Sequence, residues 1–183
     1  MGIGLLMRAA VFLDRDGVLN LPVIREGKPY PPASVEELEI VPEAPEALAA
    51  LREAGFVLIM VTNQPDVARG RKDREVVEAI NGRLRDELGL DAVYVCYHDD
   101  VDDCACRKPK SGMMTEAART LDLDLSSSFM VGDRWRDIEA GHAARCRTVF
   151  IDYGYAEALT VAPDKTVRSL KDALTWILSV SSF

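Results

Sequence analysis

The chain is short of three things: basic charge, histidine and long apolar runs. Its 22 Lys and Arg stand against 30 Asp and Glu, a net charge of -8. With a pI near 4.8 the broad basic footprint of a nucleic-acid-binding protein is missing. Any anionic partner must therefore be held locally, by a metal ion and a few basic groups. No apolar run approaches the roughly 20 residues that span a bilayer, so no membrane partner is expected. The apolar opening Met1 to Met7 lacks a basic leader and a small-residue cleavage site, which makes it a poor signal peptide and leaves Met7 as a candidate alternative start. Without an export signal, the four cysteines are expected to be thiolates or metal ligands rather than disulfides. A cytoplasmic protein is expected. The 183 residues, 48% hydrophobic, suit one domain over 1-183 with a sizeable core, and a monomer is expected.

The most informative stretch is Phe12 to Asn20. An apolar run, Ala9 to Leu13, delivers Asp14 and Asp16 into a turn at Gly17. Such a run reads as a central parallel strand, and open α/β sheets bind ligands outside the carboxyl ends of those strands. Asp-x-Asp-Gly is also a common turn composition and a fragment of calcium loops. An EF-hand needs a glutamate at its twelfth position; counted from Asp14 that position is Arg25, so the calcium reading fails.

Further along, Pro42 to Ala54 has helical spacing, with Gly55 at its end, and Phe56 to Val61 reads as a second buried strand. Asp73 and Gly89 bracket a helix with Val76, Val77, Ile80, Leu84 and Leu88 on one face. Ala92 to Tyr97, Ser128 to Val131 and Thr148 to Ile151 read as strands; helices are expected from Ser111, near Ile138 to Ala144 and from Ser169. Leu21 to Pro32, rich in Pro and Gly, reads as a binding loop without helix or central strand. This alternation predicts an α/β fold with a doubly wound, mainly parallel sheet and helices on both faces.

Three further polar groups fall at or after predicted strands: Thr62-Asn63, Arg107-Lys108, and Gly132-Asp133 with Asp137. Each alone has a bland explanation as a strand end, a solvated charge or a helix cap. Gathered beside Asp14 and Asp16, they would combine carboxylates for a hard cation with a hydroxyl, an amide and a lysine, a set suited to phosphoryl transfer. With all four motifs in order over nearly its whole length, the chain resembles the haloacid dehalogenase (HAD) superfamily of phosphatases. The resemblance implies that Asp14 is the nucleophile and Asp16 the general acid and base. It gives Thr62 and Lys108 the phosphoryl group, with Asn63 near the substrate, and places Mg²⁺ on Asp14, the Asp16 carbonyl and Asp133, supported by Asp137. Crowding beside Asp14 is expected to raise the Asp16 pKa.

Cys96, His98, Cys104 and Cys106 form C-x-H-x5-C-x-C, the donor set of a closed structural Zn²⁺ site. Free thiols beside a chance histidine are the alternative; one of only two histidines and three of four cysteines fall here. Cys146 reads as a buried apolar residue. With Cys104-Ala-Cys-Arg-Lys-Pro109, Asp14-Arg-Asp-Gly-Val-Leu-Asn20 and Thr62-Asn-Gln64, the chain is similar to the histidinol-phosphate and heptose-bisphosphate phosphatase branch, which lacks a cap domain, and the intervals between its motifs leave no room for one. That resemblance implies a small phosphorylated metabolite as partner, with D-glycero-D-manno-heptose 1,7-bisphosphate favoured by Ala68-Arg69-Gly70 and Gly112-Met113, and with Asn20, Asn63, Arg69 and Arg107 at the substrate. Two features depart from the heptose pattern: Pro65-Asp66 where those enzymes have Ser-Gly, and a short zinc loop carrying the acidic run Asp99 to Asp103. If that run faces the cleft it repels a second phosphate; if it faces solvent, Arg69 and Arg107 are free. Histidinol phosphate, a nucleotide or nucleic-acid 3′-phosphate, and a non-catalytic zinc-stabilised binding module are the alternatives.

Overall fold

The computed structural model describes residues 7–25 and 28–181. The opening Met1 to Leu6, read above as a poor signal peptide, and Gly27 of the predicted loop lie outside the described residues. Six parallel strands form the main sheet: β1 (Ala10–Leu13), β4 (Val57–Asn63), β5 (Ala92–Cys96), β6 (Phe129–Gly132), β7 (Arg147–Ile151) and β8 (Lys165–Val167), in the order β5-β4-β1-β6-β7-β8. The chain winds from β1 outward to β5, then returns to the other side of β1 for β6 to β8. The reversal puts a crevice at the carboxyl ends of β1 and its neighbours, where a doubly wound sheet binds its ligand.

Period-2 alternation in the strands feeds two cores. Val11 and Leu13 pack with residues of α1 (Ala44–Glu53), α2 (Arg74–Leu88) and α5 (Leu170–Val180). Ala10 and Phe12 pack with residues of α3 (Gly112–Leu121) and α4 (Trp135–Ala143) on the other face. In α1 the helical spacing of Ala44, Ala47, Leu48 and Leu51 buries one stripe. Burying a side chain such as Leu48 contributes about 1.5–3 kcal/mol, and Leu48→Ala would lose this and leave a cavity. Gly89 ends α2 in the left-handed region at φ 61°, as its expected capping role requires. Ser169 Oγ accepts from the Asp172 amide at 3.1 Å at the start of α5, whereas Asp73 and Ser111 precede their helices without a side-chain cap bond.

Two elements differ from the sequence reading. The Leu21 to Pro32 loop folds into an antiparallel hairpin, β2 (Val23–Arg25) with β3 (Lys28–Tyr30), outside the main sheet. Three-residue strands are too short to show alternation, and Pro29 is tolerated because its strand pairs on one side only. The edge strand β8 went unforeseen: it is also three residues long, and two of them are exposed.

Candidate active site

β1 ends by handing Asp14 to the crevice, the Asp14 amide still donating to the Val131 carbonyl of β6 at 3.0 Å. Lys108, only 2% exposed, reaches the same point from the loop after β5. Its ammonium donates to Asp14 Oδ1 at 2.8 Å and the Val61 carbonyl at 2.9 Å, and pairs with Asp137 Oδ1 at 2.6 Å. Burial opposes a charge here, yet the carboxylates of Asp137 and Asp14 hold the lysine well above its ordinary range. Burial and then the Asp137 carboxylate push Asp14 up to about 7, against the pull of Lys108.

Asp133 follows β6 and is the group with most unused capacity. Its Oδ1 is buried without a hydrogen-bond partner. Burial, then the charges of Asp14 and Asp137, push its pKa up to about 9. Gly17, at φ +86°, is needed beside it: a Cβ there would lie 2.2 Å from Asp133 Oδ2. Tyr153 fixes the same turn by donating to the Gly17 carbonyl at 2.8 Å. One oxygen from each of Asp14, Asp133 and Asp137 falls within 4.8 Å of the others. An all-oxygen set with an orphaned buried lone pair fits a hard divalent cation such as Mg²⁺.

Asp16 also reaches the cleft, but its carboxylate is gripped from behind. Arg15 Nη2 donates at 2.9 Å and Nε at 3.2 Å; Asn20 Nδ2 and Gln64 Nε2 each donate at 3.1 Å. Although burial opposes it, the Arg15 guanidinium and these donors hold the Asp16 pKa below the ordinary carboxylate value. The expected upward shift from crowding is thus overturned, because Arg15 and the two amide donors outweigh burial. Asn20 is likewise corrected: it is fully buried, holds Asp16 and the Leu21 carbonyl, and is not among the residues that line the cleft.

Thr62 and Asn63 close β4. Gln64 Nε2 donates to Thr62 Oγ1 at 2.9 Å, so the threonine hydroxyl keeps its hydrogen for a ligand. Both polar atoms of the Asn63 amide are committed to the Lys108 backbone, at 3.0 and 3.1 Å. It lines the cleft, but its hydrogen bonds serve the lysine backbone.

The four cysteine-cluster residues converge. Cys106 Sγ lies 3.2 Å from Cys96 Sγ, 3.5 Å from Cys104 Sγ and 3.4 Å from His98 Nδ1; Cys96 Sγ lies 3.6 Å from Cys104 Sγ and from His98 Nδ1. Edges of about 3.5 Å are those of a tetrahedron built on metal–ligand lengths of about 2.0–2.3 Å, so the donors fit zinc. Burial, then the Cys106 thiol, push Cys96 up; burial is outweighed at Cys104, which the Arg107 amide and neighbouring thiols bring down to about 7. The loop closes on α3 at Gly112, where a Cβ would stand 2.2 Å from the Ala105 carbonyl oxygen.

The cleft has a volume of about 450 Å³, within the range of small-ligand sites. Arg69, Arg107, Arg134 and Arg136 line it, with Tyr30 of the hairpin and Tyr155 opposite. The acidic run takes neither of the two arrangements set out from the sequence. Asp99 grips Arg69 bidentately at 2.7 and 2.6 Å; Asp100 holds Arg107 Nε and Arg136 Nη1, each at 2.8 Å. Asp103 pairs outward with Lys110, and Asp66 lies 3.6 Å from Arg69. The acids thus pair with three of the four cleft arginines, and Glu157 takes the fourth, Arg134. Arg134, Arg136, Tyr155 and Glu157 went unnoticed in the sequence; Arg134 and Arg136 sit one and three residues beyond Asp133, which was the available signal.

The haloacid dehalogenase-like hydrolase family matches residues 31–145. The chain is 38% identical over 154 residues to the D-glycero-beta-D-manno-heptose-1,7-bisphosphate 7-phosphatase of Pseudomonas aeruginosa, covering 80% of this chain and 83% of that one. It is 32% identical over 187 residues to the Haemophilus ducreyi protein of the same name, covering 93% and 98%. The crystal structure of the D,D-heptose 1,7-bisphosphate phosphatase of Bordetella bronchiseptica, complexed with magnesium and phosphate, superimposes with a TM-score of 0.80 at 30% identity, covering 93% of this chain and 98% of that one. The carboxylates and lysine at the sheet's reversal and the near full-length similarity lead to one conclusion: the chain belongs to the haloacid dehalogenase-like hydrolase family.

Proposed function

We propose that this chain is a phosphomonoesterase that removes the 7-phosphate of D-glycero-D-manno-heptose 1,7-bisphosphate through an aspartyl-phosphate on Asp14. It works as a single domain over 1-183, with Mg²⁺ at the cleft carboxylates and structural zinc in the cysteine loop, in a cytoplasmic setting that keeps thiols reduced. One observation carries the chemistry: Asp14 Oδ1 on the buried Lys108 ammonium, beside the unpartnered Oδ1 of Asp133. The names of the near full-length relatives support the substrate; four arginines line the cleft, each paired with an acid that a phosphate would have to displace.

An Asp14 oxygen bonds to phosphorus while the bond from phosphorus to the sugar oxygen breaks, and Asp16 gives that oxygen its proton. Water then attacks phosphorus, Asp16 takes the water's proton, and the bond to Asp14 breaks to release inorganic phosphate. Asp16 is ionised in its resting cradle; a phosphate entering beside it adds like charge and favours its protonated form. Lys108 holds the nucleophile and cancels charge as the phosphoryl group passes, and Thr62 donates to a phosphoryl oxygen. Bound Mg²⁺, held by Asp14, Asp133 and the Asp16 carbonyl with Asp137 in support, supplies the positive charge that lets a carboxylate approach a phosphate.

Phosphate release by the purified protein with Mg²⁺ tests both parts. The heptose bisphosphate should be the best substrate among sugar bisphosphates, histidinol phosphate and nucleotides, and Asp14→Asn should abolish turnover. Faster turnover of histidinol phosphate would overturn the substrate. Turnover by Asp14→Asn near the unsubstituted rate would overturn the nucleophile, and no turnover of any of these by the unsubstituted protein would leave the binding-module reading standing.

A further inference from the structure

α2 turns Val77, Ile80, Leu84 and Leu88 into the core, and one polar residue, Asn81, stands in the same buried row. Asn81 is 4% exposed and is not among the cleft-lining residues. Its Nδ2 has no partner, which costs stability in a position where an aliphatic side chain would pack. Its Oδ1 accepts from Arg15 Nη1 at 3.0 Å. Arg15 is the largest fully buried side chain described, and its other two arms, Nε and Nη2, grip the carboxylate of Asp16. A planar guanidinium pinned at all three nitrogens cannot tilt; released from Asn81, it can rock about its remaining contacts and carry Asp16 with it.

We infer that Asn81 is a positioning residue for phosphoryl transfer, fixing Arg15 so that Asp16 meets the leaving oxygen from one place. This rests on the proposed role of Asp16 as the general acid. Asn20 and Gln64 also hold Asp16, so its carboxylate stays near the cleft without Asn81; what is lost is its alignment, to which proton transfer is sensitive. The inference explains why a helix row that is otherwise aliphatic retains an amide with an unused donor.

The test compares two leaving groups. A sugar alkoxide must be protonated as it departs, whereas the phenolate of 2,4-dinitrophenyl phosphate leaves unaided. kcat/KM covers only the steps through departure of the leaving group, so the later action of Asp16 on water does not enter. Asn81→Leu should lower kcat/KM on the sugar phosphate about 10-fold, part of the general-acid contribution, and leave the dinitrophenyl ester unchanged. Asn81→Asp, which keeps an acceptor for Arg15, should restore the sugar phosphate rate. If Asn81→Leu does not fold, Arg15→Lys, which keeps the charge and loses the fork, should give the same split. Equal losses on both substrates, or no loss on either, overturn the inference. Asp16→Asn is the reference: if it shows the split and the Asn81 and Arg15 variants do not, only the positioning role fails, and if it shows none, the acid assignment fails and this inference with it.

Discussion

Asn63 and Lys108 are joined by a two-way amide bridge: Asn63 Nδ2 donates to the Lys108 carbonyl at 3.0 Å, and the Lys108 amide donates to Asn63 Oδ1 at 3.1 Å. The side chain thus splices the segment after the cysteine loop onto the end of β4, as a neighbouring strand would. The Lys108 ammonium, pinned at its other end by Asp14, Asp137 and Val61, gains a fixed backbone.

Asn63→Ala should therefore behave as a loss of lysine positioning rather than of substrate affinity. The expected outcome is a fall in kcat of about 10- to 100-fold with KM within about twofold, the pattern of a misplaced reacting group. Steady-state kinetics on the heptose bisphosphate decides it; a raised KM with unchanged kcat would show Asn63 to be a substrate ligand.

The carboxylate cluster gives the metal-free protein a pH dependence of definite sign. Asp14 and Asp133 rise from 3.8 to about 7 and about 9 on folding. A carboxyl group raised in this way stabilises the fold below its unfolded pKa and loses that contribution as pH climbs through the folded value. The metal-free melting temperature should fall between about pH 6 and pH 9, and Mg²⁺ should raise it more at the upper end, where protons no longer compete for the ligands. Thermal melts with chelator and with Mg²⁺ at both ends of that window check it; a Mg²⁺-induced shift that shrinks as pH rises would count against this cluster as the metal site.

The cysteine loop should hold its metal through treatments that strip the cleft. EDTA should remove activity at once and Mg²⁺ should restore it, while elemental analysis still finds about one zinc per chain. Cys106→Ser should lose that zinc and destabilise the fold by about 3 kcal/mol, roughly 10 °C for a chain of this size. Protein purified reduced and without chelator that contains no zinc would refute the cage.

The main sheet was largely legible because its central strands are apolar runs bounded by polar punctuation: Ala10 to Leu13 and Phe129 to Gly132 are buried throughout. The hairpin and β8 were not, since three-residue strands carry no period. At the site, residue type and order singled out the acids, the lysine and the cysteine-histidine cluster, which the fold gathers into two groups. What they could not reveal was side-chain partnership: that Asn20 faces inward to Asp16, that Arg15 would lower the Asp16 pKa where crowding beside Asp14 was expected to raise it, or that Asp99 and Asp100 would close on arginines. The arginine contacts of Asp99 and Asp100 join segments far apart in the chain, and Arg15, though adjacent to Asp16, turns back onto it only because the fold buries the arginine.

Those arginine contacts yield the prediction that separates a bisphosphate from a monophosphate substrate. Asp100 Oδ1 lies 2.8 Å from both Arg107 Nε and Arg136 Nη1, bridging the two guanidiniums. Two arginines hold the Asp100 pKa far below the ordinary range, so it stays charged and competes with an incoming anion. Arg107→Ala should raise KM for the heptose bisphosphate about 10-fold or more, the loss of one charge-assisted contact, and leave the corresponding monophosphate little changed. Asp100→Asn should act in the opposite sense, lowering the bisphosphate KM because the competing charge is gone while the shape remains. Parallel measurements on the two substrates decide the matter. Equal changes on both would mean that the arginines serve the cysteine loop alone and that the second phosphate is held elsewhere.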